Sequence, residues 1–186
     1  MTKKTIYIEG SHSRQELRKA FNDLLTQELN GDMPKIVMGD GRYQTIKKFR
    51  TAPKGDGEER FLLMDSDAPV PDKKKFLDEI LRENPNPKCG NFDISEENTF
   101  LMIQEVEAWI LSQPEALKER GIEKGLPLSN IEEISKPSKK LSEIYKQNDK
   151  QYDKVKEFQK IFALLRSDEL KEHSKEYRML IERLKH

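Results

Sequence analysis

The chain of 186 residues has one cysteine, three histidines, no net charge and no long apolar run. Cys89 cannot form an internal disulfide and has no cysteine or histidine neighbour at metal-ligand spacing. No stretch approaches the roughly 20 apolar residues that a membrane helix needs, so we expect a cytoplasmic protein with no membrane partner. Because 34 basic residues balance 34 acidic ones, a global cationic field for nucleic acid is excluded. Any contact with nucleic acid must be local.

The first two thirds of the chain alternate strand-like and helix-like segments. Apolar and β-branched runs predict strands at 5–8, 34–38, 60–64 and 100–103. The third run is the most apolar, which is typical of a strand buried on both faces. Residues 104–111 continue from the fourth run and predict a helix. We therefore predict an α/β fold, with a four-stranded parallel or mixed sheet flanked by helices and a helical C-terminal extension.

Three carboxylates follow two of the predicted strands. Glu9 ends the first strand, and Asp65 and Asp67 end the third. If these strands are neighbours in a parallel sheet, the carboxylates meet at the edge where such sheets bind ligands. Side chains at i and i+2 point the same way along an extended strand, so Asp65 and Asp67 can flank one ion. Oxygen ligands of this kind suit Mg²⁺ or Mn²⁺.

Ordinary turn chemistry explains part of the same pattern. Asp and Ser favour turns and helix caps, so the segment from Asp65 to Asp67 alone is equally compatible with a turn. Glu9 followed by Gly10 is not a favoured cap. The combination of Glu9 with the Asp pair therefore favours a metal site over a turn.

Three sequence blocks resemble the signatures of the DUF4276 group of Toprim-like proteins. They are Ile8-Glu9-Gly10, Leu-Leu-Met-Asp-Ser-Asp at 62–67, and Met-Ile-Gln-Glu-Val-Glu-Ala-Trp-Ile-Leu at 102–111. In that group the third block reads approximately Met-Val-Gln-x-Met-Glu-Ala-Trp-Phe-Leu, from which this chain departs by apolar substitutions. The order strand, Glu-Gly, helix, strand, helix, strand, Asp-x-Asp is that of the Toprim domain of topoisomerases, primases and small nucleases. The resemblance implies a Toprim-like core at 1–112 and a helical extension at 113–186, packed as one unit.

The resemblance also implies roles for the acidic residues. It implies that the metal ligands are Glu9, Asp65 and Asp67. Alternatively, Glu9 acts as a general acid or base. Glu107 is the candidate for a further acidic ligand if the site holds two metals. The preference of helix first turns for acidic residues explains Glu107 equally well.

Nucleases of the wider family place a lysine near the metals. Lys139 is the first candidate for this catalytic role and Lys136 the second, although a solvated helix start explains both. We interpret Trp109 as a core residue rather than a base-stacking platform. We interpret His12 as a turn residue.

Three functions fit the sequence. The resemblance implies a nuclease dependent on Mg²⁺ or Mn²⁺ that cleaves DNA or RNA in prokaryotic antiphage defence. Its candidate partners are nucleic acid, an ABC/AAA-type ATPase and a second copy of the chain. The alternative is a non-catalytic metal-binding subunit that regulates or binds such an ATPase. A phosphotransfer enzyme acting on a small nucleotide is the third.

Overall fold

The computed structural model describes residues 3–10, 15–53, 55, 57–85, 92–126, 134–154 and 156–186. Its sheet has four strands, all parallel, in the order β2-β1-β3-β4. The strands are β1 (Lys3–Ile8), β2 (Lys35–Met38), β3 (Glu58–Asp65) and β4 (Thr99–Met102). The predicted α/β class and four-stranded sheet are confirmed, and the pairing is parallel rather than mixed. Cys89 and His12 lie outside the described residues.

Helices connect the strands and continue through the rest of the described chain. They are α1 (Gln15–Thr26), α2 (Arg42–Thr51), α3 (Lys73–Glu83), α4 (Glu107–Leu111), α5 (Pro114–Glu119), α6 (Pro137–Gln147), α7 (Lys156–Phe162), α8 (Ser167–His173) and α9 (Lys175–Lys185). The first three provide the crossovers that parallel strands require. Among the described helices, none is long and apolar enough to cross a membrane.

The two central strands are buried on both faces. In β1, Ile8 enters the larger apolar core while Tyr7 enters a smaller one on the opposite face. In β3, Leu63 likewise enters the larger core and Leu62 the smaller one. This alternation follows from the two-residue period of a strand. The apolar run of β3 therefore places that strand inside the molecule, as its composition predicts.

Trp109 joins several helices in the larger core. Its indole is 2% exposed and lies 6.3 Å from Phe21 of α1, 6.3 Å from Phe162 of α7 and 5.1 Å from Tyr177 of α9 between ring centroids. The interpretation of Trp109 as a core residue is confirmed. Residues on both sides of position 112 share this core, and the division into parts at 1–112 and 113–186 stays a prediction.

The helix after β4 is shorter than predicted. It begins at Glu107 rather than at 104, because Gln104 has a left-handed backbone with φ 64°. A residue in that conformation does not continue a right-handed helix. The carbonyl of Gln104 instead accepts a hydrogen bond from the amide of Asp67 at 2.7 Å. A turn thus leads from β4 to Glu107.

Replacing Trp109 with alanine should lower the free energy of unfolding by about 3–5 kcal/mol, since it empties a packed core site. Urea denaturation followed by circular dichroism measures this, because the chain has no second tryptophan to report by fluorescence. Tyr43→Ala is the control: Tyr43 is 61% exposed, and its loss should change stability by no more than about 0.5 kcal/mol. A comparable small change for Trp109→Ala would contradict its place in the core.

Candidate functional site

The carboxyl ends of β1 and β3 bring two of the predicted carboxylates together. Ile8 is paired with Leu63, so Glu9 and Asp65 both lie just beyond the last shared pair. The amide of Glu9 donates to the carbonyl of Leu63 at 2.8 Å, which fixes Glu9 against β3. Both side chains line one cavity of about 370 Å³. The structure thus brings Glu9 and Asp65 to one sheet edge, and their roles as ligands stay predictions.

Glu107 lines the same cavity from the start of α4. Its residue is 1% exposed, and Oε2 has no hydrogen-bond partner among the described residues. The ammonium of Lys154 lies 2.8 Å from Oε1. A buried carboxylate is stable only when it is paired or coordinates a metal. Glu107 is therefore held by one cation and has capacity for a second.

Arg42 reaches across the strand ends from the start of α2. Its Nη2 donates to the carbonyl of Asp65 at 2.8 Å and to the carboxylate of Asp67, while Nε lies 3.5 Å from Oε2 of Glu9. Because β2 neighbours β1, the helix that follows β2 begins at the same edge as the carboxylates. Arg42 is not among the residues that the sequence predicts for this site. Its only signal is its position after the Gly39-Asp40-Gly41 turn that ends a strand.

Asp67 does not have the extended geometry that the Asp-x-Asp spacing predicts. The strand ends at Asp65, and Asp67 has a left-handed φ of 59°. Its side chain is 67% exposed and pairs with Arg42. The i, i+2 argument for a shared ion thus does not hold here, because residue 67 lies in a turn. Asp67 is beside the cavity rather than lining it, and its role as a ligand stays a prediction.

The structure brings Lys154, not Lys139, to the carboxylates. Lys139 is 73% exposed on α6 and lies 4.0 Å from Glu143. Lys136 is exposed just before the same helix. Lys154 lines the cavity from the segment between α6 and α7. No sequence signal distinguishes Lys154 from its many charged neighbours, and a catalytic role for Lys139 stays a prediction.

Burial and like charge both act on Asp65. Burial raises its pKa well above the ordinary value, and the negative charges of Glu9, Glu107 and Asp67 raise it further, while Lys154 opposes them. The pKa of Glu9 is also raised, chiefly by burial. Arg42 opposes the rise at Glu9 and Lys154 opposes it at Asp65, but burial, the largest cause at both residues, keeps the two pKa values raised.

The carboxylate oxygens fit a divalent cation. Asp65 Oδ1, Glu9 Oε2 and Glu107 Oε2 are buried with no hydrogen-bond partner among the described residues, a condition that costs stability. Hard oxygen donors on rigid elements are what Mg²⁺ and Mn²⁺ prefer. Within the described ranges, no three His, Cys, Asp or Glu side chains already stand at the spacing that holds an ion. Binding would draw the carboxylates closer together.

Fold and site together define an α/β protein with an acidic cavity at the carboxyl edge of a parallel sheet. The family model for the domain of unknown function DUF4276 matches residues 8–185. The chain belongs to the DUF4276 family, as its three sequence blocks predict. Comparisons with curated proteins and with solved structures found no match.

Asp65→Asn should stabilise the protein at neutral pH in EDTA. The folded form keeps a proton on Asp65 at pH values where the unfolded chain has lost it, because the folded pKa is raised. Stability therefore falls as pH rises from the unfolded pKa, about 3.9, through the raised folded pKa. Asparagine removes the buried charge, so the free energy of unfolding at about pH 7 should rise by on the order of 1 kcal/mol.

Thermal unfolding between about pH 4 and about pH 8 measures this effect. The control is Asp78→Asn, because Asp78 is exposed on α3 and its loss should leave the pH slope unchanged. If the stability of the parent and that of Asp65→Asn changed with pH at the same slope, Asp65 would ionise normally.

Proposed function

We propose that this chain is a divalent-metal-dependent nuclease that cleaves phosphodiester bonds in DNA or RNA. The observation that carries the proposal is that Glu9, Asp65 and Glu107 line one cavity, each with a buried oxygen that accepts no hydrogen bond from the described part of the chain. The resemblance of the Glu-Gly and Asp-x-Asp blocks to the Toprim domain supports the reaction type. The same resemblance supports an effector role in antiphage defence with a partner ATPase.

Glu9, Asp65 and Glu107 would hold the ion, and Asp67 would join them if Arg42 released it. When bound, Mg²⁺ or Mn²⁺ would polarise a phosphate oxygen and offset its negative charge. Arg42 holds the turn after β3 in place through the carbonyl of Asp65.

Lys154 is the lysine best placed to bind the phosphate. Partial burial lowers its pKa, but the hydrogen bond and charge of Glu107 outweigh burial, so the net pKa is raised. The ammonium is therefore charged at neutral pH. With 61% of its side chain exposed, Lys154 can turn from Glu107 to a phosphate oxygen and stabilise the charge that develops there.

Asp65 is the carboxylate best suited to accept a proton from the attacking water. Its raised pKa brings it nearer to the working pH, where general bases are most effective. Oδ1 accepts no hydrogen bond from the described residues and would bind the ion, which leaves Oδ2 to accept the proton. Glu9 is less suited, because Arg42 lies 3.5 Å from its carboxylate and favours the ionised form.

Cleavage of plasmid, single-stranded DNA and total RNA with Mg²⁺ or Mn²⁺ tests the proposal. We expect Asp65→Asn and Glu9→Gln to lower the rate by about 100-fold or more, the size found for loss of one group that stabilises a transition state. Asp78→Asn, an isosteric change on an exposed face of α3, should cleave like the parent. The proposed nuclease activity would be refuted if the parent protein, with an ATPase partner added, cleaved every substrate no faster than Asp65→Asn does.

Calorimetric titration with Mn²⁺ gives a readout independent of cleavage. The parent should bind Mn²⁺, and Asp65→Asn should bind at least about tenfold more weakly, roughly 1.4 kcal/mol. Asp67→Asn is titrated in parallel. Unchanged affinity in that variant would remove Asp67 from the ligand set and leave Glu9, Asp65 and Glu107 in it.

One observation favours a second function, a non-catalytic metal-binding subunit that regulates or binds an ATPase. Arg42 already pairs with Glu9 and Asp67, as it would in a purely structural ion-pair cluster. Mn²⁺ binding without cleavage of any substrate would support this function instead.

The lysine of the site is tested by three matched substitutions to methionine. Lys154→Met should lower the cleavage rate by about 100-fold, since it removes the cation that faces the carboxylates. Lys146→Met is the control, because Lys146 is exposed near the end of α6. Lys139→Met tests the residue that the family pattern predicts. If Lys139→Met lowered the cleavage rate and Lys154→Met did not, the phosphate-binding role would belong to Lys139.

A further inference from the structure

The cavity that holds the carboxylates has an apolar wall that the proposed chemistry does not use. This wall is formed by Leu17 and Phe21 of α1, Val106 of the turn before α4, and Phe158 of α7. Leu17, Phe21 and Phe158 belong to the packed core and are 7%, 2% and 4% exposed. Their positions are therefore fixed, while Val106, which is partly buried, leaves more of its surface open than they do.

The size of the cavity limits what it can take. About 370 Å³ lies at the small end of the range for ligand pockets, roughly 300–1,000 Å³. One nucleotide unit is an occupant of that scale, and a stretch of double helix is not. Charge sets a second limit. Glu9, Asp40, Asp65 and Glu107 face one lysine, Lys154, among the described lining residues. An anion can enter this cavity only together with a cation.

We propose that the site takes a nucleotide with an unpaired base, its phosphate at the carboxylates and its base against the apolar wall. An unpaired base has free aromatic faces, which pack well on apolar and aromatic side chains whatever the sequence. A base inside a duplex has both faces covered by its neighbours. The substrate class is therefore single-stranded nucleic acid or a frayed end. This inference rests on the proposed function, because the divalent ion must neutralise the carboxylates before phosphate binds.

Calorimetry in saturating Mn²⁺ with three probes tests the inference. Uridine 5′-monophosphate and ribose 5-phosphate differ only by the base, and inorganic phosphate has neither base nor sugar. We expect uridine 5′-monophosphate to bind about tenfold more tightly than ribose 5-phosphate, roughly 1.4 kcal/mol. Equal affinities for these two probes would overturn the proposal.

A cavity-filling variant locates the effect. Val106 is partly buried beside the wall, and Val106→Phe should fill the space for the base, so that the tenfold difference between the two probes disappears. Val70→Phe is the matched control, because Val70 is also partly buried but packs against the smaller core. There the tenfold difference should remain. A difference that persists in Val106→Phe would place the base elsewhere and refute the apolar wall as its site. Because the parent comparison needs no variant, the test does not depend on either one folding.

The outcomes separate this inference from the proposed function. Equal binding of ribose 5-phosphate and uridine 5′-monophosphate, with cleavage of nucleic acid intact, would overturn the inference alone. If Mn²⁺ binds but none of the three probes does, both the phosphate site and the base site fail. Single-stranded DNA cleaved no faster than duplex DNA of the same sequence would also count against the inference.

Discussion

The acidic cavity depends on the parallel pairing of β1 with β3. The register that joins Ile8 to Leu63 is imposed by two apolar cores, since alternate residues of both strands are buried on opposite faces. A slip of one residue would send each side chain to the wrong face. The strand ends are therefore fixed, and Glu9 and Asp65 are brought together despite their mutual repulsion. Packing that involves no charged group thus determines where the charges lie.

Two cations reduce the repulsion that this pairing creates. Arg42 arrives from the helix after β2, and Lys154 from the segment before α7, so each comes from an element outside the central strands. Burial nevertheless keeps the pKa values of Asp65 and Glu9 raised, with like charge adding to the rise at Asp65. Folded proteins concentrate such unfavourable local arrangements at functional sites.

Features encoded locally were predictable from the sequence. The apolar run of β3 identified a buried parallel strand. The position of Glu9 after β1 identified the edge of the sheet at which the site lies. Asp67 and Gln104 were not predictable, because their left-handed backbones are linked by a hydrogen bond between distant segments. Lys154 was missed for a related reason. Its contact with Glu107 depends on how the helices pack, whereas Lys139 was chosen from a local resemblance in a lysine-rich segment.

The hydrogen bonding of the buried carboxylate oxygens distinguishes a ligand-binding site from a structural ion-pair cluster more sharply than the charges do. In a structural ion-pair cluster the packing would be expected to supply a donor for each buried carboxylate oxygen, as in most protein interiors. Here Glu9, Asp65 and Glu107 each keep an oxygen for which the described residues supply no donor, although Arg42 and Lys154 are close by. The three residues that carry these oxygens line a cavity large enough for a small ligand. An arrangement that leaves acceptors free around an accessible space is better suited to binding a cation and its anionic partner than to holding the fold together.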